Sequence, residues 1–216
     1  MMEGKTNKTM YRRIIRALKF DTSVYEEVAS DSEATKQAIL VPLVMQLLIF
    51  AIVSISAIPL AINTESDCLP CVTAQIITGY GIFVLFLFAP FIIWVPLLFG
   101  VGRFAGAKNL KVKQVLRTIG FAFSPLFILA FFIVTTMYST AIVGPAASTP
   151  IFWAGIVIVA TLIMINSVAA FKKATGVTTG VSIMSNFFAL IILGLIFVAL
   201  IITFSLTILE LLKSTL

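Results

Sequence analysis

Residues 181–209 read VSIMSNFFALIILGLIFVALIITFSLTIL, 29 residues without an Asp, Glu, Lys or Arg. About 20 apolar residues in a helix cross the roughly 30 Å hydrocarbon core of a bilayer. Such a run in lipid is a helix and not a strand, because every backbone N–H and C=O must find its partner inside the segment. Four further stretches meet the same standard: Ala38 to Ile62, Ile76 to Gly102, Ile119 to Val143 and Ile151 to Ala170. The composition agrees, with 60% hydrophobic and only 11% charged residues among 216 and a mean hydropathy of +1.13. A water-soluble domain carries about 25% charged residues. The expected fold is all-α: an integral membrane bundle of five transmembrane helices (38–62, 76–102, 119–143, 151–170 and 181–209) behind a cytoplasmic segment, residues 1–37.

Drawn as five spans, the chain divides its charge unevenly. Lys5, Lys8, Arg12, Arg13, Arg16, Lys19 and Lys36 precede the first span; Arg103, Lys108, Lys111, Lys113 and Arg117 lie between the second and third; Lys172 and Lys173 lie between the fourth and fifth. These fourteen of the fifteen basic residues share one side with six acids, which leaves Lys213 with Glu65, Asp67 and Glu210 on the other. Basic residues are retained in the cytoplasm. The expected orientation is therefore N-terminus cytoplasmic and C-terminus external. The basic start leads into a polar, acidic stretch and not into a short apolar run with a small-residue cleavage site, so the first span is expected to act as the targeting signal.

Within the cytoplasmic segment, Met10, Tyr11, Ile14, Ile15 and Leu18 recur at helical spacing while Arg12, Arg13, Arg16 and Lys19 take the other face. That pattern predicts a short interfacial amphipathic helix, apolar side in the headgroup region and basic side toward anionic lipid. A passive anchor, a lipid sensor and a docking face for a partner all fit it. Ser23 with Glu26, and Ser30 with Glu33, have the spacing of capping boxes, so Asp21 to Lys36 reads as a helical elbow feeding the first span. The acids of this elbow are spaced as a solvated helix face, and no metal site is expected.

The spans exclude much chemistry. None carries an ionisable residue that would mark a proton relay, a voltage sensor or an ion-coupled carrier. The chain has no His, which removes Ser-His and Cys-His nucleophiles. No catalytic residue, cofactor or nucleic-acid partner is expected. The stronger polar groups have a pattern: Asn166 and Asn186 sit roughly 6 to 8 Å below the cytoplasmic surface at 1.5 Å per residue, Ser124 at a similar depth and Gln46 about 12 Å deep. They serve either as interhelical hydrogen bonds or as a polar vestibule open to the cytoplasmic leaflet. Pro42, Pro59, Pro90, Pro96 and Pro125 interrupt the spans, and each removes a backbone donor and kinks its helix.

Cys68-Leu69-Pro70-Cys71 falls in the external loop between the first two spans. A CxxC pair closes as a disulfide, takes part in thiol exchange or supplies half of a tetrahedral metal site. Membrane thiol oxidases carry such a pair near the outer surface but need a second pair to relay electrons. This chain has two cysteines in all, so a loop-stapling disulfide is the leading expectation and a thiol oxidase a distant one.

Several segments carry a resemblance. They are Arg16-Ala17-Leu18-Lys19-Phe20-Asp21 with Val24-Tyr25-Glu26-Glu27 and Ala34 to Ala38; Gly102-Arg103, Gly106 and, after a basic stretch, Gly120-Phe121-Ala122 with Ser124-Pro125; and Ala170-Phe171-Lys172-Lys173-Ala174-Thr175-Gly176-Val177-Thr178. Together they resemble the YIP family, the five-span membrane proteins named for interaction with Ypt and Rab GTPases, and in particular its short prokaryotic branch. The chain lacks the Asp-Leu-Tyr-Gly-Pro type motif of the eukaryotic trafficking members, so Rab binding is not carried over. The resemblance implies a non-enzymatic protein of the prokaryotic cell membrane. It would act as a scaffold or accessory subunit through anionic headgroups on the cytoplasmic side and through a protein partner or a second copy of itself. The residues expected to make those contacts are Arg12, Arg13, Arg16, Lys19, Arg103, Lys108, Lys111, Lys113 and Arg117. The alternative is a lipid-handling or permease component that uses the vestibule near Gln46, Ser124, Asn166 and Asn186.

Overall fold

The computed structural model describes residues 9–63, 91–107 and 110–215. All regular structure among them is helical, in the order α1 (Met10–Leu18), α2 (Ser23–Ser30), α3 (Ala34–Asn63), α4 (Phe91–Phe104), α5 (Val112–Ala122), α6 (Leu126–Val143), α7 (Pro145–Thr175) and α8 (Thr179–Thr215). Four stretches are long and apolar enough to cross a membrane: Ala34–Ile52, Val112–Val143, Ser148–Thr175 and Thr179–Ile196. They coincide with the first, third, fourth and fifth expected spans. Helix α4 covers the last part of the second; its first part, residues 76–90, lies outside the described residues, as do Cys68, Cys71 and Lys108.

The third span is two helices. Val112 to Ala122 is helical, Phe123 to Pro125 forms a turn, and α6 begins at Leu126. Pro125 has no N–H to donate back into the preceding turn. The gap is closed by tighter bonds, Ser124 N–H to the Phe121 carbonyl at 3.1 Å and Leu126 N–H to that of Phe123 at 3.0 Å, while the Ser124 hydroxyl also donates to Phe121 at 2.6 Å. Eighteen residues of α6 rise about 27 Å, close to the hydrocarbon thickness. Helix α5 is thereby free to carry Lys113, Gln114 and Arg117 at one end and the buried Ile119, Phe121 and Ala122 at the other.

Helices cannot gain hydrophobic energy from one another in lipid, so close approach through small residues holds such bundles together. Gly120 of α5 lies directly on α3, and a Cβ there would meet the Ala38 carbonyl oxygen at 2.1 Å. Gly155 of α7 lies as closely on Phe132 of α6. One buried cluster runs from Tyr25 and Val28 of α2 through Val41 and Met45 of α3, Trp94 and Leu98 of α4 and Phe121 of α5 to Phe171 of α7. Outward-facing apolar side chains such as Phe131 (69% exposed) and Leu195 (64%) cover the periphery. That inversion is what a lipid-facing surface requires and what a water-facing one avoids.

At the polar end, helix starts depend on aspartates and not on the expected capping boxes. Asp21 accepts the Ser23 N–H at 3.0 Å, and ten residues on Asp31 accepts the Glu33 N–H at the same distance. The Ser23 hydroxyl donates to Asp21 and the Ser30 hydroxyl to the Glu26 and Glu27 carbonyls, so both serines are oriented by other bonds than those of a capping box. Carboxylates are the stronger acceptors for these exposed donors. Helix α1 ends in a Schellman arrangement, with Phe20 N–H on the Ala17 carbonyl and Asp21 N–H on that of Arg16. Phe20 occupies its left-handed position at φ 59°, where glycine is the usual residue.

Candidate functional site

Two clusters of basic residues occupy the end of the bundle where α1, α2 and α5 meet. The first is built on Arg13, which is fully buried. Its Nε donates to Glu27 Oε1 at 2.9 Å, Nη1 to Gln37 Oε1 at 2.7 Å and Nη2 to Asp31 Oδ2 at 2.6 Å. Arg16, one turn later, donates from Nε to Asp21 Oδ2 at 2.8 Å, from Nη1 to Glu27 Oε2 at 2.5 Å and from Nη2 to the Ser23 hydroxyl at 2.8 Å. Each aspartate thus gives one oxygen to a backbone N–H at a helix start and the other to an arginine. Glu27 bridges the two guanidinium groups. The Asp21 carboxyl is held down at about 2, first by the Ser23 hydroxyl and then by Arg16, and the same contact with Asp21 raises Arg16. This knot welds α1, α2 and the start of α3 into one platform, and both of its guanidinium charges are paired.

Lys173 of α7 pairs with Glu26 of α2 at 2.5 Å and ties the far loop to the same platform. That loop turns at Gly176, whose φ of 70° suits glycine and whose N–H closes α7 on the Lys172 carbonyl at 2.9 Å. Beneath the platform Tyr25 is fully buried, and its hydroxyl has no hydrogen-bond partner among the described residues. Burial pushes that phenol well above its ordinary range.

The second cluster opens into a cleft of about 630 Å³ between the end of α2 and the start of α5, lined among others by Ala29, Phe99, Leu110, Lys111, Lys113 and Arg117. Arg117 is half-buried, and its partners are neutral: the Thr35 hydroxyl at 2.7 Å from Nε and the Ala29 carbonyl at 3.2 Å from Nη1. Lys111 and Lys113 are exposed and form no ion pair among the described residues. The guanidinium of Arg103 stacks over Phe99, 5.6 Å from the ring centre, and so adjoins the cleft. Helix α5 starts at Lys111 and Val112 without a side-chain cap. The cleft is a positively charged pocket with apolar walls.

A third set of polar groups lies within the bundle. Trp94 Nε1–H donates to the Ser167 hydroxyl at 3.2 Å, Ser167 donates to Asn186 Oδ1 at 2.5 Å, and Asn186 Nδ2–H donates to the Ser182 carbonyl at 2.9 Å. The Ser182 hydroxyl returns to the Val168 carbonyl at 2.6 Å. This relay fastens α4, α7 and α8. Gln46 and Asn166 are buried as well, but both amide atoms of Gln46 and Nδ2 of Asn166 lack partners among the described residues. A separate apolar groove of about 440 Å³ runs between the end of α4 and the start of α8, from Val101 and Phe104 to Met184 and Phe188; the buried Ser185 lines it with an unpartnered hydroxyl.

The residues expected from sequence to meet lipid thus separate into groups. Arg13 and Arg16 lie in the knot, Lys111, Lys113 and Arg117 in the cleft, Arg103 beside it, and Arg12 and Lys19 on the exposed side of α1. Helix α1 forms over the expected residues, and two of them depart from a plain division into an apolar and a basic face: Arg13 is buried beside Ile14 and Ala17 while Tyr11 is 70% exposed. Of the four polar residues expected at membrane depth, Ser124 satisfies the kink and Asn186 the relay, while Gln46 and Asn166 are buried without full pairing. Sequence reasoning missed Glu27, Asp31 and Gln37 as the receivers of Arg13, and Trp94 and Ser167 as the partners of Asn186. The Asp-x-Ser and Asp-x-Glu spacings at Asp21 and Asp31 were the readable signal for the first set, as turns in which an aspartate takes the N–H two residues on. Comparison with known protein families, with curated proteins and with solved structures finds no match to this chain.

Proposed function

We propose that this chain is a non-enzymatic integral membrane protein that serves as a scaffold or accessory subunit, working through lipid and protein contacts on its cytoplasmic face. The carrying observation is the platform of α1 and α2. Seven charged and polar side chains are spent there on fixing a small folded surface to the end of an apolar helix bundle, beside a basic cleft with no acid among its described lining residues. A passive anchor has no need of so ordered a surface. In this reading the bundle has five spans, the second completed by residues 76–90, with α1 at the cytoplasmic interface, the N-terminus inside and the C-terminus outside. The excess of basic residues at the α1, α4–α5 and α7–α8 ends supports that orientation. The resemblance to the short prokaryotic branch of the YIP family belongs to the same proposal.

The test is purification of the full chain from its native membrane in mild detergent, with identification of whatever accompanies it by mass spectrometry. A stoichiometric protein partner, lost when α1 and α2 are deleted, is the expected result. A chain that purifies alone, with or without the platform, would overturn the accessory role. A second reading, a lipid-handling or permease component, is favoured by one observation: the fully buried Gln46 has neither amide atom paired among the described residues, a costly arrangement in a packed core. It requires a bound solute or lipid that disappears on Gln46→Leu, and a more stable Gln46→Leu protein with an unchanged complement would dismiss it.

A further inference from the structure

We propose, building on the membrane-protein reading above, that the cleft between α2 and α5 binds the phosphate of an anionic glycerophospholipid from the cytoplasmic leaflet. Arg117, Lys111 and Lys113 hold the phosphate, and Phe99 and Leu110 lie against the start of the acyl region. Three independent observations converge on this site.

The first is the distribution of countercharge. Four of the five acids of the platform are committed: Asp21 to Arg16, Glu27 to Arg13 and Arg16, Asp31 to Arg13, and Glu26 to Lys173; the fifth, Glu33, is exposed and does not line the cleft. Arg117 is half-buried, yet among the described residues it bonds only to a hydroxyl and a carbonyl. Burial of a cation without a counterion is costly, and the Thr35 and Ala29 bonds hold this guanidinium in place at the cleft wall. An anion from outside the described chain supplies what the fold does not.

The second is the charge at the start of α5. Helix N-termini carry partial positive charge, so acids stabilise them and cations do not. Asp21 and Asp31 obey at the starts of α2 and α3. Helix α5 instead begins with Lys111 at its cap position and Lys113 two residues on, with no side-chain cap. Two lysines at the positive end of a helix are repelled by it unless an anion sits between them, and that end also presents backbone N–H groups suited to phosphate oxygens. Helix α1 also carries Arg13 in an uncapped first turn, but there Glu27 and Asp31 neutralise it, whereas Lys111 and Lys113 form no ion pair among the described residues.

The third is the lining. Phe99, carrying Arg103 on its face, and Leu110 form an apolar wall directly beside the cations. A free phosphate gains nothing from such a wall, whereas the glycerol and first methylenes of a lipid do. The cleft also lies where α4 leaves and α5 enters the apolar bundle, at the level of a headgroup.

The test uses the full chain in neutral detergent, titrated with phosphatidic acid and read by native mass spectrometry as retained lipid. Lys111→Gln/Lys113→Gln is compared with Lys19→Gln/Lys36→Gln, which removes the same charge from exposed positions outside the cleft. The cleft variant is expected to retain phosphatidic acid about twenty-five-fold more weakly, about fivefold for each lysine, and the control within about twofold of the parent. Val112→Asp places an acid at the first residue of α5. It is expected to raise the thermal midpoint in lipid-free micelles while weakening retention, a combination that misfolding cannot produce. Equal losses in the two double variants would overturn the site in favour of diffuse attraction. Displacement of the lipid by equimolar glycerol 3-phosphate would identify a soluble phosphate as occupant and overturn it too, as would protection of Lys113 from chemical labelling by a co-purified acidic protein. Should the site fail while a stoichiometric partner still accompanies the chain, only this proposal falls; loss of both overturns the accessory reading as well.

Discussion

The knot around Arg13 and the cleft around Arg117 are built from the same residue type, lie on the same end of the bundle, and differ in one respect: the first is neutralised and the second is not. Arg13 meets two carboxylates and an amide, Arg117 a hydroxyl and a carbonyl. Removing one partner from a buried ion pair costs about 3–5 kcal/mol, because the remaining charges keep their desolvation without their partner. A cation beside neutral acceptors has lost no such partner and keeps the capacity to take one. Basic residues that a topology count treats alike are therefore of two kinds, structural and available, and only the acids around them tell which.

The largest effect follows at Arg13. Arg13→Met leaves Asp31 and Glu27, 13% and 28% exposed, facing each other without their common cation. We expect a loss near the lower end of that range, about 3 kcal/mol, since both carboxylates keep some water. Lys111→Gln/Lys113→Gln changes stability by no more than about 0.5 kcal/mol, as exposed substitutions do. Thermal unfolding of both variants in nanodiscs decides the matter, and equal midpoints would erase the distinction between knot and cleft. Next in size is Gly120→Ala. Its Cβ meets the Ala38 backbone, so α3 and α5 must separate, and overpacking of this kind costs about 1–3 kcal/mol. Because α5 carries the cleft residues, the same variant is expected to weaken lipid retention together with stability. A loss of stability with retention intact would show that the cleft does not depend on the α3–α5 crossing.

Inside the bundle the corresponding contrast is between Asn186, which is paired, and Gln46, which has no partner among the described residues. Asn186→Leu breaks the Ser167 and Ser182 bonds and is expected to cost about 1 kcal/mol, within the range measured for hydrogen bonds between membrane helices. Gln46→Leu removes an unpaired amide and is expected to stabilise. Unfolding in the same detergent that ranks the two variants in the opposite order would mean that Gln46 has a partner in the membrane.

The apolar spans were legible because lipid demands a single answer from a long uncharged run, and the charge asymmetry could be counted at once. The elements between spans were less so. The turn at Ser124-Pro125 was visible as a proline, but not that the helix before it starts at Val112, because Lys113, Gln114 and Arg117 read as loop until Gly120 is seen pressed on Ala38. The basic set was read as one lipid-facing surface. Nothing in a helical repeat reveals that Asp31 and Gln37, eighteen and twenty-four residues from Arg13, fold back upon it. Periodicity reports the faces of one helix, whereas this platform is made by contacts between three.

Asp21 gives the comparison a pH axis. Its carboxyl is held at about 2, below the ordinary value of 3.8. A carboxyl depressed on folding contributes stability that is complete above its unfolded value and is lost as the pH falls toward the folded one. The knot should therefore hold constant from neutrality down to about pH 4.5 and weaken between about pH 4 and pH 2. Asp21→Asn should flatten that part of the profile while lowering stability at pH 7. An acid limb of unchanged depth in Asp21→Asn, followed by thermal midpoint against pH, would assign the limb to other carboxylates.

The smallest effect belongs to Lys173 and Glu26, where α7 meets α2. Both side chains are open to water, 32% and 60% exposed, and pairs of this kind contribute about 0–1 kcal/mol. Glu26→Gln should shift the midpoint of the parent by less than about 0.5 kcal/mol, an effect that 0.5 M salt removes. Its value lies in what it does to charge: the substitution frees Lys173, so the platform gains an available cation without losing its knot. If countercharge is what separates structural from available cations, Glu26→Gln should bind phosphatidic acid vesicles more tightly than the parent. Arg13→Lys, which keeps a cation in the knot, should bind them no differently. Equal binding by Glu26→Gln and the parent would mean that the position of a cation on this surface, and not its countercharge, decides whether lipid can use it.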